Sequence, residues 1–334
     1  MSTIAILGAG AWGTALAIGL ARGGHRAILC ARRADHLIAM RARHENASYL
    51  PGVALPESIE LSDRWAEAAG TSDAVLMAVP SSFARAAMMP VGPALSADAM
   101  LISVTKGIEA DSLQTMTAML AEVAPAVRRL AVLSGPSFAA EVARGKPAAV
   151  VAAARDEAVS RGVQDLFASH SLRVYRSIDV DGVELAGAAK NVIAIAAGIS
   201  DGLGLGASAR AALITRGLAE LIRLGLKAGA RAETIYGLAG LGDLVMTCTG
   251  ELSRNRALGL RIARGEKDAS SLAKTLPGDP VVEGVSNARS IRRIAERIGV
   301  EMPIVTAVCR VLYEDAPAKA MVDELLSREL KAEF

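Results

Sequence analysis

The chain has 334 residues, 52% of them hydrophobic and 22% charged, enough apolar material for two ordinary domains, and this excludes a disordered or fibrous protein. Its 37 Lys and Arg against 35 Asp and Glu leave a formal net charge of +2, so no global field recommends nucleic acid or an anionic membrane as partner, and any basic site must be local. Three cysteines, Cys30, Cys248 and Cys309, with no CxxC pair, argue against a disulfide framework or a thiolate zinc site and point to a reducing compartment.

From residue 3 to about 180, short apolar runs alternate with helical stretches, the pattern of parallel strands joined by crossover helices. Strands are predicted at Thr3 to Leu7, Ala27 to Cys30, Ala74 to Val79, Met100 to Val104, Ala131 to Leu133, Ala148 to Ala152 and Leu172 to Tyr175. Runs such as Ala74 to Val79 carry no polar alternation, so both sheet faces are expected to be buried. The strand at Thr3 leaves no room for a signal peptide, and a cytoplasmic location is expected.

After Asp181 no strand pattern returns. Helices are predicted from Val183 to Gly198, Ser208 to Gly225, Ser253 to Arg264, Val285 to Ile298 and Ile304 to Tyr313, with an exposed loop at Gly265 to Pro280. The expected fold is therefore α/β, a doubly wound and mostly parallel sheet over residues 1–180 followed by an all-helical domain over 181–334. Mean hydropathy is +0.34, but the most apolar stretch, Val192 to Ile199, ends at Ser200 and Asp201 and is read as too short for stable membrane insertion.

Gly8-Ala9-Gly10-Ala11-Trp12-Gly13 is a GxGxxG run that follows the first strand and opens an apolar helix. In that setting Gly8 permits the tight turn, Gly10 lets backbone approach a pyrophosphate, and Gly13 allows close helix packing, with the phosphates at the helix N-terminus. About 20 residues on, where an NAD-specific site carries a carboxylate, this chain has Arg32 and Arg33. A guanidinium there can hold a 2′-phosphate, which favours NADP(H) or use of both NADP(H) and NAD(H). Asn46-Ala47-Ser48 is read as a chance glycosylation triplet. His25, His36, His44 and His170 lack ligand spacing, and no metal site is expected.

In the helical half, Lys190 and Asn191 interrupt an apolar segment. A lysine there is either a buried group with a pKa lowered toward neutrality, suited to proton exchange with a carbonyl or alcohol, or a side chain snorkelling from a helix edge. Glu184, Gly187 and Asn191 share a helix face, with Gly187 read as leaving room for a ligand. Lys106 lies just past one strand and Gly135 to Ser137 just past the next, at the carboxyl edge where open α/β sheets bind ligands, and Ser137 is placed to cap the following helix. Asp243, then Ser253, Arg254 and Asn255, add a carboxylate and a fork of donors for a phosphate.

The segments GAGAWGTALA, SVTKGIE, LSGPSFAAEVARGKP, ELAGAAKNVIAIAAGISDGLGLGASARAALITRGLAE, GLAGLGDLVMTCTGELSRNRALG and VVEG together resemble, in order and spacing, the bacterial NAD(P)-dependent glycerol-3-phosphate dehydrogenases. The resemblance implies a Rossmann domain with a helical domain, a homodimer, and reversible reduction of dihydroxyacetone phosphate to sn-glycerol 3-phosphate for phospholipid synthesis. By it, Lys190 matches the catalytic lysine, and Lys106, Gly135, Ser137, Asp243, Ser253, Arg254 and Asn255 match substrate contacts. Trp12, Arg32, Arg33, Tyr49, Lys106, Ala139, Arg254, Val281 and Glu283 match cofactor contacts. Relatives place a histidine in the stretch held here by Arg32-Arg33, so which arginine meets the 2′-phosphate stays open.

Two rival readings remain at this point. One is another lysine-dependent two-domain reductase of the ketopantoate reductase or β-hydroxyacid dehydrogenase type. Those families place an asparagine four residues after the lysine, where this chain has Ala194. The other is an NADP(H)-sensing regulatory protein without turnover, for which two lysines, an aspartate and an Arg-Asn pair have no use.

Overall fold

A computed structural model of the protein describes residues 1–266, 281–329 and 332. Strands β1 (Thr3–Leu7), β2 (Arg26–Cys30), β3 (Glu60–Ser62), β4 (Ala74–Met77), β5 (Met100–Ser103), β6 (Arg129–Ser134), β7 (Ala148–Ala153) and β8 (Leu172–Ser177) form one sheet in the order β3-β2-β1-β4-β5-β6-β7-β8. Along β1, Ile4 and Ile6 enter one core and Ala5 and Leu7 another, so successive side chains bury on opposite faces. Helices α1 (Ala11–Arg22), α2 (Ala34–Arg43), α3 (Trp65–Gly70), α4 (Ser81–Met88), α5 (Met116–Val123), α6 (Ala139–Ala143) and α7 (Glu157–Phe167) connect the strands.

All seven predicted strands are present, and β3 is an eighth that the sequence reading missed; its three residues at the sheet edge are too short to show a pattern. The sheet is mostly parallel, as expected, with one pairing that departs from the pattern. β7 pairs antiparallel with β6, and β8 runs parallel to β7. The chain leaves β6 and returns through the single short helix α6, without a full crossover to the other end of the sheet, so the next strand must run backward. A buried apolar run reads the same in either direction.

From Val180 onward the described chain is helical: α8 (Val180–Gly202), α9 (Gly206–Lys227), α10 (Ala232–Tyr236), a π turn at Leu238–Gly242, α11 (Asp243–Thr249), α12 (Arg254–Ala263), α13 (Glu283–Ile298), α14 (Pro303–Tyr313) and α15 (Ala318–Leu326). Of the loop expected at Gly265 to Pro280, residues 267–280 lie outside the described residues. The central helix α8 starts on Asp179, whose carboxylate accepts the Gly182 N–H at 2.9 Å. It is longer than the sequence reading allowed, and its length and composition would suffice to cross a membrane. Its apolar window is 94% buried, however, among α9, α11, α12, α13 and α14, which makes it a core helix.

Two glycines let α8 and α12 touch through their backbones. A Cβ on Gly198 would stand 2.0 Å from the Arg256 carbonyl oxygen, and one on Gly259 would stand 2.1 Å from that of Ile195. Any larger residue would force the helices apart, against the packing of the whole helical core.

Candidate active site

The sheet order reverses at β1, which pairs with β2 on one side and β4 on the other, and the carboxyl ends of strands at such a reversal are where open α/β sheets bind ligands. The glycine run sits there. Gly8 has φ +119°, and a Cβ on it would lie 2.7 Å from the Ala78 carbonyl oxygen; a Cβ on Gly13 would lie 2.1 Å from that of Gly8. Gly10, in contrast, faces open space, with nothing within 4 Å of a Cβ position. The N-terminus of α1 has no side-chain cap and no acidic residue in its first turn. Its N–H groups and dipole are therefore available to an anion over Gly10, which is how a dinucleotide pyrophosphate would fit.

Around this turn the structure adds a residue the sequence reading set aside. Asn46 is wholly buried and donates to the Ala9 carbonyl at 2.9 Å and to Thr14 Oγ1 at 2.7 Å, while its Oδ1 meets His36 Nε2 at 2.9 Å. It braces the glycine turn and is no glycan acceptor. Tyr49 stacks obliquely on His36 beside it, with centroids 5.3 Å apart. Past β2, Arg33 is engaged by the Asp35 carboxylate, whereas exposed Arg32 makes no ion pair among the described residues. The buried Trp12 indole N–H likewise finds no partner among them.

Lys106 follows β5 and Gly135 follows β6, as read from the sequence. The Lys106 ammonium donates to the Gly135 carbonyl at 2.8 Å and to Asp243 Oδ2 at 2.7 Å. Lys190, on α8, lies 3.1 Å from Asp243 Oδ1 and donates to Thr247 Oγ1 at 2.7 Å. Thr247 passes its own hydrogen to the Asp243 carbonyl at 2.7 Å. An ammonium has three N–H donors. Each lysine thus commits two within the described residues and keeps one for a ligand.

Lys190 is 4% exposed and Asp243 has no exposed surface, so the snorkelling alternative is ruled out. Burial drives the Lys190 ammonium down, Asp243 partly restores it and Lys106 opposes it, leaving a pKa of about 8. Burial alone would raise the Asp243 carboxyl; the two ammonium groups outweigh it and hold it below the usual range. Thr247 was not singled out from sequence. Its signal was there in the four-residue spacing from Asp243, which puts both on one face of α11.

Several other expectations change. Gly187 makes room for the protein itself: a Cβ there would lie 3.0 Å from Ser134 Oγ and 3.7 Å from Lys106 Cγ. Glu184 is outside the site and caps α5 by accepting the Thr117 N–H at 2.9 Å and its hydroxyl. Ser137 does not cap α6; its hydroxyl turns back to the Gly135 carbonyl at 3.0 Å, and Phe138 is the uncapped N-cap before Ala139.

At the start of α12, Ser253 is the N-cap, with Oγ accepting the Arg256 N–H at 3.2 Å. The Arg254 guanidinium donates to the Val281 carbonyl at 2.8 Å. The Asn255 side chain is occupied, donating to Asn191 Oδ1 at 2.8 Å and accepting the Gly284 N–H at 3.0 Å. Its backbone N–H lies in the first turn of the helix, where no intrahelical acceptor is available. Glu283, first residue of α13, accepts the Ser81 N–H at 3.0 Å and hydroxyl at 2.6 Å across the cleft.

Comparison with known proteins agrees with this geometry. Residues 3–160 match the N-terminal family of NAD-dependent glycerol-3-phosphate dehydrogenase, and residues 179–323 match its C-terminal family. The chain is 50% identical to glycerol-3-phosphate dehydrogenase (NAD(P)+) of Geobacter sulfurreducens over 332 residues, covering 99% of this chain and 98% of that one. It is similar in structure to the glycerol-3-phosphate dehydrogenase of Coxiella burnetii, with 40% identity, a TM-score of 0.92 and coverage of 97% and 98%. It is also similar to the Saccharomyces cerevisiae enzyme, at 26% identity and a TM-score of 0.80, covering 96% and 98%. Two matched families in chain order, and half of all residues shared with a full-length relative, place the chain in the NAD-dependent glycerol-3-phosphate dehydrogenase family.

Proposed function

We propose that the protein interconverts dihydroxyacetone phosphate and sn-glycerol 3-phosphate with NADP(H) or NAD(H), supplying a backbone for glycerophospholipids. The observation that carries this reading is the pair of lysines sharing the buried Asp243 carboxylate, Lys106 from the carboxyl edge of the sheet and Lys190 from α8. The reduced nicotinamide, when bound, supplies the hydride to the C2 carbonyl. Lys190, near neutrality in pKa, donates its proton to the oxygen that becomes the alcohol and takes it back in the reverse direction. Lys106 orients the substrate from the sheet edge, and Asp243 keeps both ammonium groups aimed inward. Ser253, Arg254 and the Asn255 N–H at the start of α12 receive the substrate phosphate, so that remote binding energy positions the reacting carbon.

The cofactor would lie over Gly8, Gly10 and Gly13, with Trp12, Tyr49, Ala139, Val281 and Glu283 along its path. Arg32, free of the Asp35 clasp that engages Arg33, is the arginine for the 2′-phosphate. Residues 1–180 then serve as the dinucleotide unit and 181–334 as the catalytic unit, in a cytoplasmic homodimer. Mixing the protein with NADPH and dihydroxyacetone phosphate and following nicotinamide absorbance tests the reading. Silence with this and other phosphorylated ketones would favour a dinucleotide sensor.

A further inference from the structure

We infer that Asn287, on α13, is a positioning residue that fixes the main chain of Lys106 and through it the alignment of the two lysines; this rests on the dehydrogenase reading above. Asn287 is fully buried, yet every polar atom of its carboxamide is used on backbone. Its Nδ2 donates to the Lys106 carbonyl at 2.9 Å and to the Ala188 carbonyl at 3.2 Å, and its Oδ1 accepts the Ile108 N–H at 3.3 Å.

One side chain therefore grips the segment Lys106-Gly107-Ile108 at both ends and joins it to the turn of α8 that precedes Lys190. Asn191 adds a second donor to the same Lys106 carbonyl at 3.2 Å. The opposite side of this segment is pinned as well. A Cβ on Gly107 would meet Ser81 Oγ at 2.4 Å and Glu283 Oε2 at 3.0 Å, and Glu283 lies one helical turn before Asn287 on the same face of α13. The loop after β5 is thus held between two residues of a helix from the other half of the chain. The lysine stem leaves a backbone that has no freedom to drift relative to Lys190. A hydrophobic residue at 287 would fill the space but leave the Ile108 N–H buried without its partner and take from the Lys106 carbonyl one of its two donors, which is costly.

The test is a cycle of Asn287→Ala, Lys106→Met and the double variant, with kcat, KM and pH dependence measured for dihydroxyacetone phosphate. Asn287→Ala should lower kcat/KM about tenfold to a hundredfold, leave the Kd for NADPH unchanged, and move the alkaline limb of reduction to higher pH. The limb moves because a displaced Lys106 no longer depresses Lys190. In the Lys106→Met background the same change should cost almost nothing. Additive losses, or a lowered Tm with kcat and the pH limb intact, would overturn the inference. Should Asn287→Ala not fold, Asn287→Ser, which retains one donor, carries the same cycle with smaller losses. Titration of Lys190 by NMR with labelled lysine reads the same shift without turnover. A wild type inactive on every phosphorylated ketone, but with Lys190 shifted in the variant, would refute the dehydrogenase reading and leave the positioning role standing.

Discussion

Asp243 gives Oδ2 to Lys106 at 2.7 Å and Oδ1 to Lys190 at 3.1 Å, so one buried carboxylate ties the two ammonium groups together. With a Lys190 pKa of about 8, reduction of dihydroxyacetone phosphate should fall as pH rises through 8, when the donor loses its proton. Oxidation of glycerol 3-phosphate should fall as pH drops through the same value. Asp243→Asn removes the charge that supports the protonated form, so the limb for reduction should move to lower pH. A pH profile of kcat in each direction checks this, and a limb that stays put would detach Asp243 from the proton donor. Lys190→Ala should cost about 10² to 10⁴ in kcat with cofactor affinity retained.

Arg32 and Arg33 should separate cleanly. Arg32→Ala should weaken NADPH roughly 10- to 150-fold, the range of a charge-assisted hydrogen bond, and leave NADH nearly unchanged. Arg33→Ala, which gives up mainly an exposed pair with Asp35, should affect both cofactors little. Equal weakening of NADPH and NADH by Arg32→Ala would place that arginine on the pyrophosphate or the fold.

Arg254→Ala should reduce kcat/KM for dihydroxyacetone phosphate by roughly 10- to 150-fold, and Arg254→Lys should be impaired because it lacks the planar fork. The control substrate is dihydroxyacetone, on which the loss should be much smaller. Comparable losses on both would send the search for the phosphate toward Lys106 and Gly135 to Ser137.

Two buried glutamates give stability its own pH dependence. Glu184 caps α5, and Glu220 accepts the Ile304 N–H at 2.7 Å and the Val305 N–H at 3.3 Å at the start of α14. Burial pushes each carboxyl up to about 7 from the usual 4.5, against the pull of those N–H groups. The folded state therefore binds more protons than the unfolded chain between these values, and their contribution to stability declines as pH rises from 4.5 to 7. The decline is roughly 1.4 kcal/mol for each pH unit of the window. Glu220→Gln should flatten it, so the variant should fare better relative to wild type at pH 8 than at pH 5 in urea unfolding. An unchanged difference at the two pH values would show that Glu220 titrates normally.

Much of the site was legible because its chemistry is local in sequence. The glycine run needs three positions in one turn, and Lys106 and Gly135 each stand directly after a strand whose apolar run is unmistakable. Lys190 was conspicuous as a charge in an apolar helix. What stayed hidden depends on pairs distant in the chain. Nothing near Glu184 says that its partner is Thr117, nothing near Gly187 says that Ser134 and Lys106 fill its gap, and Asn46 looks like a surface triplet until its contacts with Ala9 and Thr14 are known. The direction of β7 was hidden for a different reason: strand direction leaves no mark on an apolar run buried on both faces.

The backbone contact of α8 with α12 at Gly198 and Gly259 acts as a caliper on the substrate. Lys190 rides on one helix and the proposed phosphate cradle opens the other, so on that assignment the span between them is tied to peptide atoms already touching. On that assignment, a ketone with its phosphate one carbon farther away asks for a helix shift at these two glycines. Activity on a four-carbon ketone phosphate should therefore respond to substitution at Gly198 or Gly259 more than to any single exchange among the side chains around Lys190.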